Sequence, residues 1–376
     1  MQPKAARNIS IEALRLIAVA GIAVFHTFQW TFQATCVGVV EYVPLAMFPY
    51  SGVLGFINLL GCWANEVFFM ISGYFLIASA ARAWDGGTTW KSQMQRTAQR
   101  LGKVVMPTAF YCLVALAWST VVSPIPDVTL STHYWYTLGL EFIWVYAATV
   151  FMAPWFGLAK SRLSQKSYTA TVIAVGILAF AVNGYLAAMS ATSAGEFSWL
   201  QKLMSAVTYV IAFLIGGLLR DVTDVMDSDR AGALGMRSLE TVLVLATILE
   251  GALSFTGNLT AMAVLTYKST SLISFALAAA SLLFAATRRS VSGNPWTAGV
   301  IVTLSTATLG FYVMQSLTSS LWRPVFNTLL ANILVSQNSP AVICIVTGVV
   351  ISIVFALALL IIDAVRSLIA RKLKRQ

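Results

Sequence analysis

Ten apolar stretches recur along this chain with only short polar links between them. A helix needs about 20 mostly apolar residues to cross a bilayer. Stretches meeting that requirement run over 10–32, 53–80, 104–122, 134–156, 168–190, 199–219, 238–256, 259–287, 296–322 and 340–362. In lipid every backbone N–H and C=O must be satisfied within the protein, so stretches of this length are read as helices. The expected fold is all-α: a polytopic integral membrane protein of about ten transmembrane helices, packed as a single helical bundle. No polar stretch is long enough to fold alone, so residues 1–376 are expected to form one membrane domain. Charged residues make up only 10% of the chain, against roughly 25% in soluble domains. The first apolar run follows a basic N-terminus but is too long for a signal-peptide core, so it is expected to remain as the first helix.

The net charge of +10 is explained by topology rather than by nucleic acid. With the N-terminus in the cytoplasm, twenty of the 24 basic residues fall in the N-terminal segment, the even-numbered links or the C-terminal tail. Lys202 and Arg323 fall near the outer side, and Arg15 and Lys268 fall within spans. The positive-inside rule therefore predicts ten helices with both termini cytoplasmic. The four cysteines form no C-x-x-C, and the two histidines offer no metal-binding spacing, so no metal is expected. No internal repeat supports an inverted-repeat transporter.

Two costly residues stand inside the first apolar run. Arg15 and His26 are eleven residues apart, about 20° past three full helical turns, so they share one helix face roughly 16 Å apart along the axis. Ionisable side chains inside a membrane are read as functional by default. The alternative is a structural ion pair of Glu12 with Arg15, which are i,i+3 neighbours, plus a histidine hydrogen-bonded within the bundle. Histidine is the usual general base near neutral pH. A second ionisable group, Glu66, lies mid-span in NEVFFMISGYFL (65–76). It is a candidate to orient His26 or bind a substrate hydroxyl, or else a structural partner for another buried polar group. The Ser72-Gly73 pair that follows is read as helix packing.

Arg96, Arg100 and Lys103 share a helix face ahead of Pro107. They suit either an ordinary basic flank or a clamp for a phosphorylated ligand. In HYWYTLGLEFIWVYAATVFMAPW (133–155), His133 and Trp135 open the fourth span, and Glu141 is expected to be buried about two turns in. The aromatic residues fit an interfacial belt or a surface for stacking sugar rings. Gln315 is read as a packing amide, and Glu240, Glu250 and Lys268 as a further buried network without an assigned role.

At these residues the chain resembles the acyltransferase 3 family of integral membrane acyltransferases. The family's D-x-L-R, with a histidine eleven residues after the arginine, is similar to Glu12-Ala13-Leu14-Arg15 and His26, with Glu in place of Asp. Its D-x-F-F-x-x-S-G-[FY] resembles Glu66 to Tyr74, and its arginine-rich approach to a proline resembles Arg96 to Pro107. The histidine and tryptophan that open the family's fourth span resemble His133 and Trp135. S-[FY]-G-x-Y-L-x-H resembles Thr308 to Gln315, with glutamine where histidine is common.

The resemblance implies transfer of an acyl group, often acetyl from acetyl-CoA, to a hydroxyl of a cell-surface polysaccharide or lipid-linked glycan. It places the protein in a bacterial cytoplasmic (inner) membrane. His26 and Glu66 are then the expected catalytic residues, with His26 either deprotonating the acceptor hydroxyl or carrying the acyl group transiently. Arg15, Arg96, Arg100 and Lys103 are expected to hold the acyl-CoA, and His133, Trp135 and Glu141 to meet the acceptor. The family's extra extracytoplasmic hydrolase-like domain has no counterpart in this sequence, so the whole reaction is expected within the membrane domain. The alternative from another class is a polytopic transporter or glycan exporter with a buried polar pathway.

Overall fold

The computed structural model describes residues 7–126, 128–129, 140–190, 198–266, 270–288, 294–336 and 340–373. Among them are fourteen α-helices, one short 3-10 turn (Val40–Tyr42) and no strand. The helices are α1 (Ile9–Cys36), α2 (Val43–Ala46), α3 (Tyr50–Asp85), α4 (Trp90–Val121), α5 (Glu141–Arg162), α6 (Gln165–Ser190) and α7 (Ser198–Val225). They continue as α8 (Ser228–Phe255), α9 (Leu259–Leu265), α10 (Leu272–Thr287), α11 (Pro295–Ser305), α12 (Thr308–Leu317), α13 (Ser319–Ser336) and α14 (Pro340–Leu373). The protein is thus an all-α polytopic membrane protein. Among the described residues eight helices are long and apolar enough to cross a membrane, or nine if the bent pair α11–α12 is one span, and α10 is a shorter apolar helix of 16 residues.

Helix α1 starts where its sequence caps it. The Asn8 side chain accepts from the backbone N–H groups of Ser10 and Ile11, at 3.0 and 3.3 Å, and Glu12 adds a carboxylate to the first turn. Helix α3 is the axis of the bundle and packs against α7, α1, α5 and α10. Lipid tails are as apolar as leucine, so close backbone packing, rather than burial from water, holds such helices together. Gly73 and Gly216 make the α3–α7 contact possible. A β-carbon on Gly73 would stand 1.7 Å from the Phe213 carbonyl oxygen, and one on Gly216 would stand 2.0 Å from that of Met70. Between α5 and α7, Lys160 pairs with Asp221.

Three differences from the sequence expectation bear on the site and its surroundings. The third span begins not at 104 but at Trp90, where Thr89 caps the helix by accepting from the Ser92 N–H. The basic stretch 96–103 is therefore helical, and Pro107 lies inside α4. The eighth, expected as one segment over 259–287, is instead α9 followed by the 16-residue α10, whose start is capped by Ser271.

The ninth, expected over 296–322, breaks between Ser305 and Thr308 with a bend of 42°. The cause is local. Ser305, Thr306 and Thr308 each bond back to a carbonyl three residues earlier, and such bonds compete with the helical ladder. The segment expected as the end of this span and its outer link is the separate helix α13, packed against α14, α1 and the 3-10 turn.

Candidate functional site

A cavity of about 380 Å³ opens between α1, α3, α4, α5 and the broken pair α11–α12. Three cations reach it: Arg15 from α1, and Arg100 and Lys103 from α4. Its walls are largely apolar, with Phe68, Phe142 and Leu309 among them. The polar groups between are Ser72, Tyr146, Tyr312 and the side chains at the helix break. Irregular backbone at membrane depth is tolerated where it lines such a space.

Arg15 is held in place rather than free. Its Nη1 lies 3.0 Å from Glu12 Oε2, and the same oxygen accepts from Ser305 Oγ at 2.7 Å. Glu12 thus ties the first helix to the break in the ninth span and leaves Arg15 at the cavity wall. Arg100 is half-buried and donates to Ser79 Oγ at 3.3 Å. Arg96 is exposed and does not line the cavity, so the structure separates it from the other three basic candidates. Ser72, read from sequence as packing, has a second role. Its hydroxyl donates to the Phe68 carbonyl at 2.9 Å and meets Tyr146 Oη at 2.9 Å on the cavity wall.

The cavity follows α1 toward its C-terminal end. Arg15, Val19 and Ile22 all line it, a path of roughly 10 Å at 1.5 Å per residue. His26 comes one turn later on the same face, about 6 Å further along the axis. His26 does not line the cavity. It meets Gln29 Oε1 at 3.4 Å and Arg323 Nη2 at 3.2 Å, both through Nδ1. Arg323 comes from α13, and from sequence alone it falls near the outer side with no assigned role. Its signal in the sequence is an arginine at the end of an apolar run.

Other expectations are corrected. Glu66 is fully buried, but among the described residues neither carboxylate oxygen makes a hydrogen bond, and neither reaches His26. Nor does it line the cavity. Glu141 is not buried two turns into a span. It is the exposed first residue of α5, where a carboxylate complements the positive end of the helix dipole. The next two residues, Phe142 and Ile143, face the cavity instead. His133, Trp135 and Lys268 lie outside the described residues. Glu240 is exposed, whereas Glu250 is buried and makes no side-chain hydrogen bond among the described residues. Gln315 is buried, and its backbone carbonyl accepts from Trp322 Nε1 at 2.9 Å.

The family model of the acyltransferase 3 domain, described as an acyltransferase domain, matches residues 8–359. The chain belongs to the acyltransferase 3 family. The match begins at the cap of α1 and runs into α14, so it takes in every helix around the cavity. No curated protein and no solved structure matches the chain. As a member of this family, the protein is a multi-pass membrane acyltransferase.

Proposed function

We propose that this acyltransferase 3 protein moves an acetyl group from cytoplasmic acetyl-CoA to a hydroxyl of a cell-surface polysaccharide or lipid-linked glycan, in a bacterial inner membrane with both termini cytoplasmic. The observation that carries the proposal is the meeting of Arg15, Arg100 and Lys103 at one largely apolar cavity. Cations suit phosphate, and charge-assisted hydrogen bonds are the strong ones. Arg100 and Lys103 hold the phosphates of the donor, and Arg15 is the deeper contact. The pantetheine arm lies along Val19 and Ile22, which directs the thioester toward His26. His26 takes the proton of the acceptor hydroxyl as that oxygen attacks the thioester carbonyl. The acceptor approaches from the outer side or through a lateral opening in the bundle.

The reading is tested by supplying labelled acetyl-CoA to inverted membrane vesicles that contain the protein, and by analysing the surface glycan of a deletion strain by mass and NMR. Label entering a glycan fraction, with loss of O-acetyl groups in the deletion strain, is expected. A glycan of unchanged acetylation, with no label transferred to any glycan, contradicts the proposal.

A further inference from the structure

His26 and Arg323 are far apart in sequence and meet through one imidazole nitrogen. Arg323 Nη2 is 3.2 Å from His26 Nδ1, and Gln29 Oε1 is 3.4 Å from the same atom. The two contacts demand opposite things of that nitrogen. A guanidinium carries five N–H donors and no acceptor, so it can bond Nδ1 only where Nδ1 is bare. An imidazolium has an N–H on both nitrogens and offers no acceptor at all. Gln29 is the adaptable partner, because its amide can turn over and present its NH₂ in place of its oxygen. A bare Nδ1 has a single lone pair, and the shorter contact, from Arg323, takes it; that contact requires a neutral His26 with its proton on Nε2.

Arg323 has little to draw it elsewhere. Among the described residues it pairs with no carboxylate. Its Nε is buried without a hydrogen-bond partner, and its guanidinium carbon lies 5.5 Å from the Trp322 ring centre.

We propose that Arg323 is the positioning residue of the reactive histidine: it occupies Nδ1, fixes the proton on Nε2, and must release Nδ1 before that nitrogen takes a proton from an acceptor hydroxyl. This rests on the reading of His26 as the base in acetyl transfer. In that step the hydroxyl proton passes to Nδ1 as its oxygen bonds to the thioester carbon, and the carbonyl electron pair moves onto the carbonyl oxygen. When the carbonyl re-forms, the carbon–sulfur bond breaks with its electron pair going to sulfur, and the CoA thiolate takes a proton from the imidazolium. The displaced guanidinium remains a cation beside the reacting atoms, where such a charge stabilises an oxygen turning negative.

The chain's histidine count makes the proposal directly measurable. His26 and His133 are the only histidines. Full-length protein labelled with ¹⁵N-histidine in lipid nanodiscs gives two sets of ring signals, and His133→Gln assigns those of His26. The expected spectrum shows a protonated Nε2 and a bare Nδ1. Arg323→Lys, which still donates and cannot accept, keeps that tautomer, whereas Arg323→Met lets the proton exchange between the two nitrogens. In turnover, Arg323→Met lowers kcat about tenfold or more with little change in KM for acetyl-CoA, and Arg323→Lys recovers part of the loss. A wild-type His26 protonated on Nδ1, or an Arg323→Met spectrum identical to wild type, overturns the proposal. The spectra need no substrate, so a failure of the acetyl-CoA reading shows separately as absent transfer with the tautomer intact.

Discussion

The two ends of the α1 face handle their charge in opposite ways. At its N-terminal end, proposed to be the inner one, Arg15 is balanced within its own helix by Glu12, and Glu12 is further tied by Ser305. At the other end, proposed to be the outer one, Arg323 faces neutral His26, and among the described residues it has no carboxylate. The inner end is a fixed scaffold whose spare positive charge comes from Arg100 and Lys103. The outer end holds a cation that only a weak, displaceable acceptor engages. Binding a large anionic donor calls for the first arrangement, and reorganising during proton transfer calls for the second.

The comparison breaks first if the ends are wrongly oriented. In a background lacking the half-exposed Cys36, a cysteine at position 256, exposed after α8, is expected to react with a membrane-impermeant reagent in intact cells. Cysteines at 95 and 372, both exposed, are expected not to react. This contrast is all-or-none, and the reverse pattern would exchange the donor and acceptor sides. The next largest effect is chemical. His26→Ala is expected to lower acetyl transfer by about 10²–10⁴-fold, the usual contribution of a general base, while acetyl-CoA still binds. Near-normal turnover by a stably inserted His26→Ala protein would remove the outer end from the chemistry.

Packing gives a smaller but sharper contrast. Gly73→Ala places its new carbon against the Phe213 carbonyl, whereas Gly184→Ala meets nothing within 4 Å. The first is expected to cost about 1–3 kcal/mol, the range for overpacking, and the second to leave stability unchanged or slightly raised. Equal melting temperatures in detergent would contradict the close α3–α7 contact. The smallest effect separates cavity from flank. Arg96→Ala is expected to change acetyl-CoA affinity no more than a few-fold, because an exposed charge off the cavity contributes about 0–1 kcal/mol. A loss as large as that of Arg100→Ala would move the donor onto the outer face of α4.

Much of this architecture was legible because periodicity and lipid leave few options. An apolar stretch of bilayer length must be helical, and the eleven-residue spacing of Arg15 and His26 fixed their common face. The Ser72-Gly73 pair was half legible. Gly73 does pack closely, but the Ser72 hydroxyl meets Tyr146 across a helix pair that no local pattern reveals. The break at Ser305–Thr308 was missed because hydropathy is blind to hydroxyls that bond back to their own backbone. Glu141 was misplaced because α5 starts later than its apolar run. Arg323 was missed because its significance lies in a tertiary contact with a residue 297 positions away.

The most direct test of the account is a calorimetric titration of purified protein with acetyl-CoA, run on wild type, His26→Ala and the Arg100→Ala/Lys103→Ala double variant. Each lost charge-assisted contact is worth about 1.5–3 kcal/mol, and 1.4 kcal/mol is tenfold in affinity. Wild type and His26→Ala are expected to bind alike, with the double variant weaker by about a hundredfold or more. No saturable binding by wild type, or a double variant that binds as wild type does, would contradict the assignment of this cavity to the acyl donor.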